Sequence, residues 1–296
     1  MAHLRSAQAR ATALATAALS EVFDKLSIGR TGPPEVVTVW LALPDARPGF
    51  DRPEAAEVLA RIQATPFVGV SRIKIEALPS GHAGALQGLD LAARQIASRR
   101  IEIAVVGGVD SYFDPATLRW LESNRRLARD GVRGGLVPGE ASAMFVLTSR
   151  AEGQRRGLPS IARVRAVAVG REPRSLDSDE GTLGEGLTDV VTRVTAELRL
   201  PAESVDDIYC DIGPERHRTE EWGYTALRQS PAFKDATSYQ TPVGSWGDVG
   251  AASGALAVVL AAQAWRRHYA SGPRALVWAS SPQGLRGAAL LENGEV

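Results

Sequence analysis

Apolar and polar positions alternate between two periods along this chain, and the switches mark its elements. Residues 6–26 place Ala11, Leu14, Ala18 and Val22 at helical spacing, which predicts a helix. Val36–Leu43 reads VVTVWLAL, an unbroken β-branched and apolar run closed by Pro44, as expected for a strand buried on both faces. Arg52–Thr65 predicts a helix with Pro53 near its first turn. Ser71–Ala77 alternates as a strand does, and Pro79-Ser80-Gly81 is a turn. A helix over Ala83–Ser98, a strand over Ile101–Val106, a helix over 114–127 and a strand over Ala141–Leu147 follow. The scheme then repeats: strand Ser160–Val169, helix Gly184–Leu198, short strand Asp207–Asp211, helix Thr219–Arg228, long helix Val249–Tyr269, and strands Ala275–Ala279 and Gly287–Leu291. Strands alternating with helices predict an α/β fold with mostly parallel pairing. The division into two similar halves falls between 1–150 and 160–296.

Charge narrows the function classes. Lys+Arg and Asp+Glu both number 34, so the net charge is zero, which argues against nucleic acid or an anionic membrane as the main partner. The alanine-rich start is interrupted by Arg5, Arg10 and Glu21, unlike a signal peptide, and no run of about 18 apolar residues exists to span a bilayer. A cytoplasmic location is expected. One cysteine, Cys210, forbids an internal disulfide and a cysteine-based metal site. It lies in an apolar strand, where a thiol is expected to be buried and inert.

Three segments carry the functional signal. The first is His82 to Asp110, HAGALQGLDLAARQIASRRIEIAVVGGVD. The second is Asp130-Gly131 followed by Gly135 to Ala143, GLVPGEASA. The third is Gly250-Ala251-Ala252-Ser253-Gly254. In this order they resemble the β-ketoacyl synthases, condensing enzymes of the thiolase superfamily. The resemblance implies a five-layer α/β/α/β/α sandwich of two similar halves. It also implies that Gly107-Gly108 allow close backbone packing and a positive φ, that Gly139 allows a tight approach, and that Glu140 holds nearby loop backbone.

Members of that family hold an acyl chain on a cysteine that opens the helix before the Gly-Gly pair. Counted back without a gap from Gly107-Gly108, that position is His82. The family's two catalytic histidines fall on Ile212 and Gly247, its lysine falls near Pro242 and Val243, and the gate-loop phenylalanine is missing from Ser280–Gly287. These side chains offer neither a nucleophile nor hydrogen-bond donors, and losing one preorganised donor typically costs about 10²–10³ in rate. The resemblance therefore implies a condensing-enzyme scaffold without its machinery, a pseudoenzyme or partner subunit. It implies a homodimer, or a heterodimer with a related ketosynthase, paired through the strand Ser71–Ala77. An acyl thioester or an acyl carrier protein is the implied ligand.

A rebuilt site is the alternative. His82 at a helix N-terminus is favoured in its neutral form and can serve as a base. Ser80, Ser245, Ser280 and Ser281 are candidate nucleophiles, and Asp211 and Asp248 are candidate orienting acids, for an acyl hydrolase or acyltransferase. A protein that holds an acyl chain without chemistry is a third class. Glu215, His217, Glu220 and Glu221 form a charge-dense stretch. As a metal site they would converge; as a solvated loop they would lead into a helix capped by Thr219. The solvated loop is the expectation, and no cofactor or metal is called for. Trp246 suits a pocket wall or a core position equally.

Overall fold

The computed structural model describes residues 6–27, 36–174 and 182–294. Its first half holds α1 (Ala7–Ser27), β1 (Val36–Leu43), α2 (Arg52–Ala64), β2 (Arg72–Pro79), α3 (Gly84–Ala97), β3 (Ile103–Ser111), α4 (Pro115–Ser123) and β4 (Glu140–Thr148). After α5 (Arg150–Arg156) come β5 (Ala162–Arg171), α6 (Glu185–Thr195), β6 (Asp207–Tyr209), α7 (Arg216–Arg228), α8 (Val243–Trp246), α9 (Ser253–Arg266), β7 (Arg274–Ser280) and β8 (Leu285–Asn293).

Two four-stranded sheets form, in the orders β2-β1-β3-β4 and β5-β8-β7-β6. Helices α3 and α9 lie between them. Leu86, Leu89 and Ala92 of α3, with Ala257, Ala261 and Ala264 of α9, share one core with Trp40 and Val106 of the first sheet and Val277, Ala289 and Leu291 of the second. On the outer face of the first sheet, Val37, Val39 and Leu41 meet Leu19 and Phe23 of α1 and Val58 and Ile62 of α2. On the outer face of the second, Leu276, Trp278 and Leu290 meet Val190 and Val194 of α6 and Trp222 of α7. The result is the expected five-layer sandwich. Burial on both faces explains why β1 and β3 read as continuous apolar runs instead of alternating ones.

The pairing is less parallel than the sequence suggests. Strand β1 pairs parallel with β2 and β3, and β6 with β7, but β3–β4, β5–β8 and β7–β8 are antiparallel. The short link from Ser280 to Leu285 closes β7–β8 as a hairpin, which a parallel pair cannot do. The last long helix is shorter than its periodicity predicts: Gly250–Ala252 form a 3₁₀ turn, and α9 ends at Arg266.

The two central helices start alike. A 3₁₀ turn, Gly81-His82-Ala83, leads into α3, and Gly250-Ala251-Ala252 leads into α9. Both leading glycines have positive φ, +61° and +50°. Gly107 and Gly108 do not, so the expectation of a positive φ there is corrected. Their role is the close approach alone: a Cβ on Gly108 would lie 2.0 Å from the Ala251 carbonyl oxygen. Gly139 makes the tight approach expected of it, since a Cβ there would lie 2.3 Å from the Trp246 carbonyl oxygen.

Candidate functional site

His82 lies buried in the turn that opens α3, facing residues of the second half. Its Nε2 is 2.8 Å from Asp248 Oδ1 and 3.0 Å from Arg218 Nη2. Asp248 Oδ1 also accepts the Gly250 amide at 2.8 Å, so the carboxylate binds the first turn of α9 as well as the imidazole. Arg218 comes from the first turn of α7 and is 2% exposed, the deepest cation of the site. Its Nη1 donates to Asp211 Oδ2 at 2.7 Å and to the Ser280 carbonyl at 3.2 Å, and its Nη2 lies 3.6 Å from Asp248 Oδ2. Asp211 Oδ2 accepts the Ser280 amide at 3.0 Å. One guanidinium thus joins two carboxylates and the imidazole in a single buried cluster.

A second pair braces the same region. Arg47 Nη2 meets Asp110 Oδ1 at 2.5 Å and lies over the Tyr112 ring, while Asp110 Oδ2 accepts the Ala251 amide at 3.0 Å. Correspondingly, the Ala83 amide donates to Ser281 Oγ at 2.9 Å. Each central helix is therefore fixed at its start by a side chain from the opposite half.

Burial and charge act against each other at these groups. Burial would raise the Asp248 carboxyl, but His82, Arg218 and the Gly250 amide outweigh it and hold the carboxyl well below the usual range. Burial likewise opposes the charge on Arg218, and Asp211, Asp248 and Glu215 more than compensate, raising it above its ordinary value. The Cys210 thiol is pushed up by burial and sits 3.8 Å from the Gln240 carbonyl, so it is inert as the sequence implies.

The contacts of His82 decide what it can do. A single Nε2 faces a carboxylate acceptor and a guanidinium donor, so it is engaged in either tautomer. Nδ1 is buried and has no protein partner among the described residues. Among the described residues, no candidate serine hydroxyl bonds the His82 ring. Ser80 Oγ donates to Gln87 Oε1 at 2.9 Å, and Ser281 Oγ donates to the Ser80 carbonyl at 2.5 Å. Ser280 is buried and gives its amide and carbonyl to Asp211 and Arg218. Ser245 is exposed on α8, so the sequence-based placement of it beside His82 is corrected. Asp248 touches His82 directly, and Asp211 reaches it only through Arg218.

The charge-dense stretch also differs from expectation. Helix α7 begins at Arg216 with Glu215 at its cap position, so Thr219 caps nothing. Glu215, Arg218 and Glu221 are buried, not solvated; Glu215 pairs with Arg126 at 2.8 Å, and Glu221 pairs with Arg286. Among the described residues, no group of His, Cys, Asp and Glu side chains is arranged to hold a metal. Glu140 binds side chains, Arg10 at 2.5 Å and Ser111 Oγ at 2.9 Å, in place of the loop backbone expected. Trp246 is 48% exposed and lines a surface groove of about 340 Å³ with Tyr209, Pro242, Leu260 and Tyr269. No described helix is long and apolar enough to cross a membrane.

Arg218 is the residue that sequence reasoning missed. Its signal was present: Arg218, Glu221, Trp222 and Thr225 fall at i, i+3, i+4 and i+7, one helix face that includes a tryptophan.

Comparison with known proteins fits this architecture. Residues 77–153 match the family model described as β-ketoacyl synthase, N-terminal domain. No curated protein sequence matches the chain. Among solved structures, a ketosynthase from module 6 of the bacillaene synthase of Bacillus subtilis matches with a TM-score of 0.75 at 15% identity, over 97% of this chain and 60% of that one. An oxazolomycin ketosynthase domain of Streptomyces albus matches with a TM-score of 0.65 at 18% identity, over 97% of this chain and 61% of that one. The ishigamide ketosynthase/chain length factor matches with a TM-score of 0.66 at 21% identity, over 96% and 80%. The chain thus spans about three fifths of the length of the first two.

Proposed function

For a chain built on the thiolase-like fold of the β-ketoacyl synthases, we propose a non-condensing role: a ketosynthase-like subunit that keeps the scaffold and has lost the condensing reaction. The observation that carries this reading is the His82–Asp248–Arg218–Asp211 cluster. The position that the resemblance assigns to the nucleophile holds an imidazole bound to a carboxylate, and a buried guanidinium fills the space beside it. An acyl thioester has no thiolate to attack it there, and Cys210 is buried in the second half. Ile212 and Gly247 offer no side-chain donor to a developing carbanion.

Such a subunit acts by association. The solved relatives include a ketosynthase/chain length factor and a ketosynthase in complex with an acyl carrier protein. We extend this to the present chain as pairing with itself or with a related ketosynthase, on acyl-thioester substrates, in the cytoplasm.

The test is incubation with acyl thioesters and a malonyl donor, followed by mass spectrometry of protein and products. The expected result is neither a carbon-extended product nor a covalent acyl adduct. An adduct mapped to Cys210 or His82, or an extended product, would overturn the reading.

One observation favours a second reading, hydrolysis of an acyl ester. Asp248 orients one ring nitrogen of His82 and leaves Nδ1 without a protein partner, which is the base-and-acid part of a hydrolytic triad. That reading predicts esterase turnover that disappears in His82→Ala. Absence of turnover in the unaltered protein removes it.

A further inference from the structure

The two faces of strand β6 have different fates. Ile208 joins the core between the second sheet and its outer helices. Asp207 and Tyr209, two residues apart, share the opposite face. Tyr209 packs with Ala257 and Ala261 of α9, and this packing opens at its edge into a surface groove of about 340 Å³, which Asp207, Tyr209, Trp246, Tyr269 and Ser271 help to line.

The aromatic walls of the groove are anchored from behind. Trp246 ends α8, and the chain beyond it is tied to the first half: the Asp248 amide donates to the Val137 carbonyl at 2.7 Å, and the Asp248 carbonyl accepts the Gly139 amide at 2.8 Å. Trp246 is held there while 48% exposed. Tyr269 follows His268, whose φ of +60° breaks the helical path after α9, and the Tyr269 amide donates to the Ala264 carbonyl at 3.0 Å. Tyr269 is 59% exposed. Two large aromatic side chains on fixed backbone thus face water, with area that a ligand would cover.

The charge of the groove has one sign. Asp207 Oδ2 accepts the Ser271 amide at 2.9 Å, and among the described residues no Lys, Arg or His lines the groove or pairs with this carboxylate. The adjacent Asp206, by contrast, is fully buried and paired with Lys234. Burial pushes the Tyr209 hydroxyl up, with Asp207 and Tyr269 adding to it, so the three groups lie within electrostatic reach of one another. An unpaired carboxylate among aromatic rings suits an organic cation. The ring faces attract positive charge, and methyl groups around a quaternary nitrogen pack on them without needing hydrogen bonds. A sugar would stack on the same rings but gain nothing from the charge.

We propose that the groove between β6, α8 and the end of α9 binds a quaternary ammonium ligand, with Trp246 and Tyr269 packing on its methyl groups and Asp207 supplying the counter-charge. The proposal does not depend on the chemistry of the His82 cluster, whose side chains do not line the groove.

The test is calorimetric titration of the full chain with choline at low ionic strength, alongside the neutral alcohol that carries carbon in place of the choline nitrogen. Saturable choline binding is expected, at least about tenfold tighter than that of the neutral alcohol. Trp246→Ala, and Asp207→Asn, which keeps an acceptor for the Ser271 amide, are each expected to weaken choline binding about tenfold with unchanged urea midpoints. Should Asp207→Asn lower the midpoint, the salt dependence of choline binding by the unaltered protein takes its place: affinity that falls with added sodium chloride supports the carboxylate, and constant affinity counts against it. The proposal is overturned by the absence of saturable choline binding or by equal binding of the neutral alcohol. It is overturned equally by a Trp246→Ala or folded Asp207→Asn protein that binds choline as tightly as the unaltered one.

Discussion

The starts of α3 and α9 use one backbone design for two purposes. Each begins with a positive-φ glycine and a 3₁₀ turn, and each is fixed by a side chain from the opposite half. At α9 the turn carries Ala251 and serves packing: its carbonyl lies under Gly108, and its amide is held by Asp110. At α3 the turn carries His82, which is tied to Asp248 and Arg218. The difference shows that the fold supplies the position and the side chain placed there sets what it binds. It also shows that the charged start depends on the plain one, because Asp248 binds His82 and the Gly250 amide with the same oxygen.

The largest way to break this comparison is to remove the cation that joins the halves. Arg218→Ala leaves Asp211 and Asp248 buried with their charge uncompensated, a loss of about 3–5 kcal/mol. Urea unfolding should show the midpoint falling sharply; a change under about 1 kcal/mol would mean that the cluster is not coupled as described.

The glycines sharpen the comparison next. A Cβ on Gly250 would lie 1.8 Å from Asp110 Oδ2, which is itself locked by Arg47 and the Ala251 amide. On Gly81 the nearest atom is Asp45 Oδ2 at 2.5 Å, the end of a side chain without a comparable lock. Gly250→Ala is expected to cost about 2–4 kcal/mol and Gly81→Ala about half of that, by adding overpacking to backbone strain. Equal losses would show that the two turns are equally rigid.

The smallest effect is one of pH, and it separates His82 from a neighbouring histidine. Burial and the cations Arg218, Arg126 and Arg286 push His217 down to about 3. Its folded value lies below the unfolded value of about 6.5, so the unfolded chain takes the proton first. The stability due to neutral His217 is complete above about pH 6.5 and is lost as pH falls toward 3. His217→Gln should match the unaltered protein at pH 7 and lose less stability between pH 6.5 and 4.5, with the His82–Asp248 pair intact. Parallel curves would place the acid response elsewhere.

How much of this was legible in the sequence follows from what each residue advertises. The α/β class was legible because strands such as β1 and β3 carry unbroken apolar runs between helical periods, whereas the five layers came from the family resemblance carried by the Gly-Gly and Gly-Ala-Ala segments. His82 and Asp248 were placed together by the family resemblance, through the gapless count from Gly107-Gly108 and the match at Gly250-Ala251-Ala252. Arg218 was not, since a run such as ERHRTEE looks solvated until helical period is applied to its charges as well as to its apolar residues. The antiparallel strands were hidden because buried strands look the same in either direction. The hydroxyl of Ser80, a candidate nucleophile in the sequence, donates to Gln87, a pairing seven residues apart that only the turn geometry creates.

The sharing of Arg218 among three partners also makes the residues around it interdependent in any redesign. Placing a cysteine at position 82 would set a thiol against a guanidinium still bound to Asp211, with no side-chain donors at Ile212 or Gly247. Removing Arg218 first would strand two buried carboxylates. The cluster therefore has to be exchanged as a unit, cation and carboxylates together.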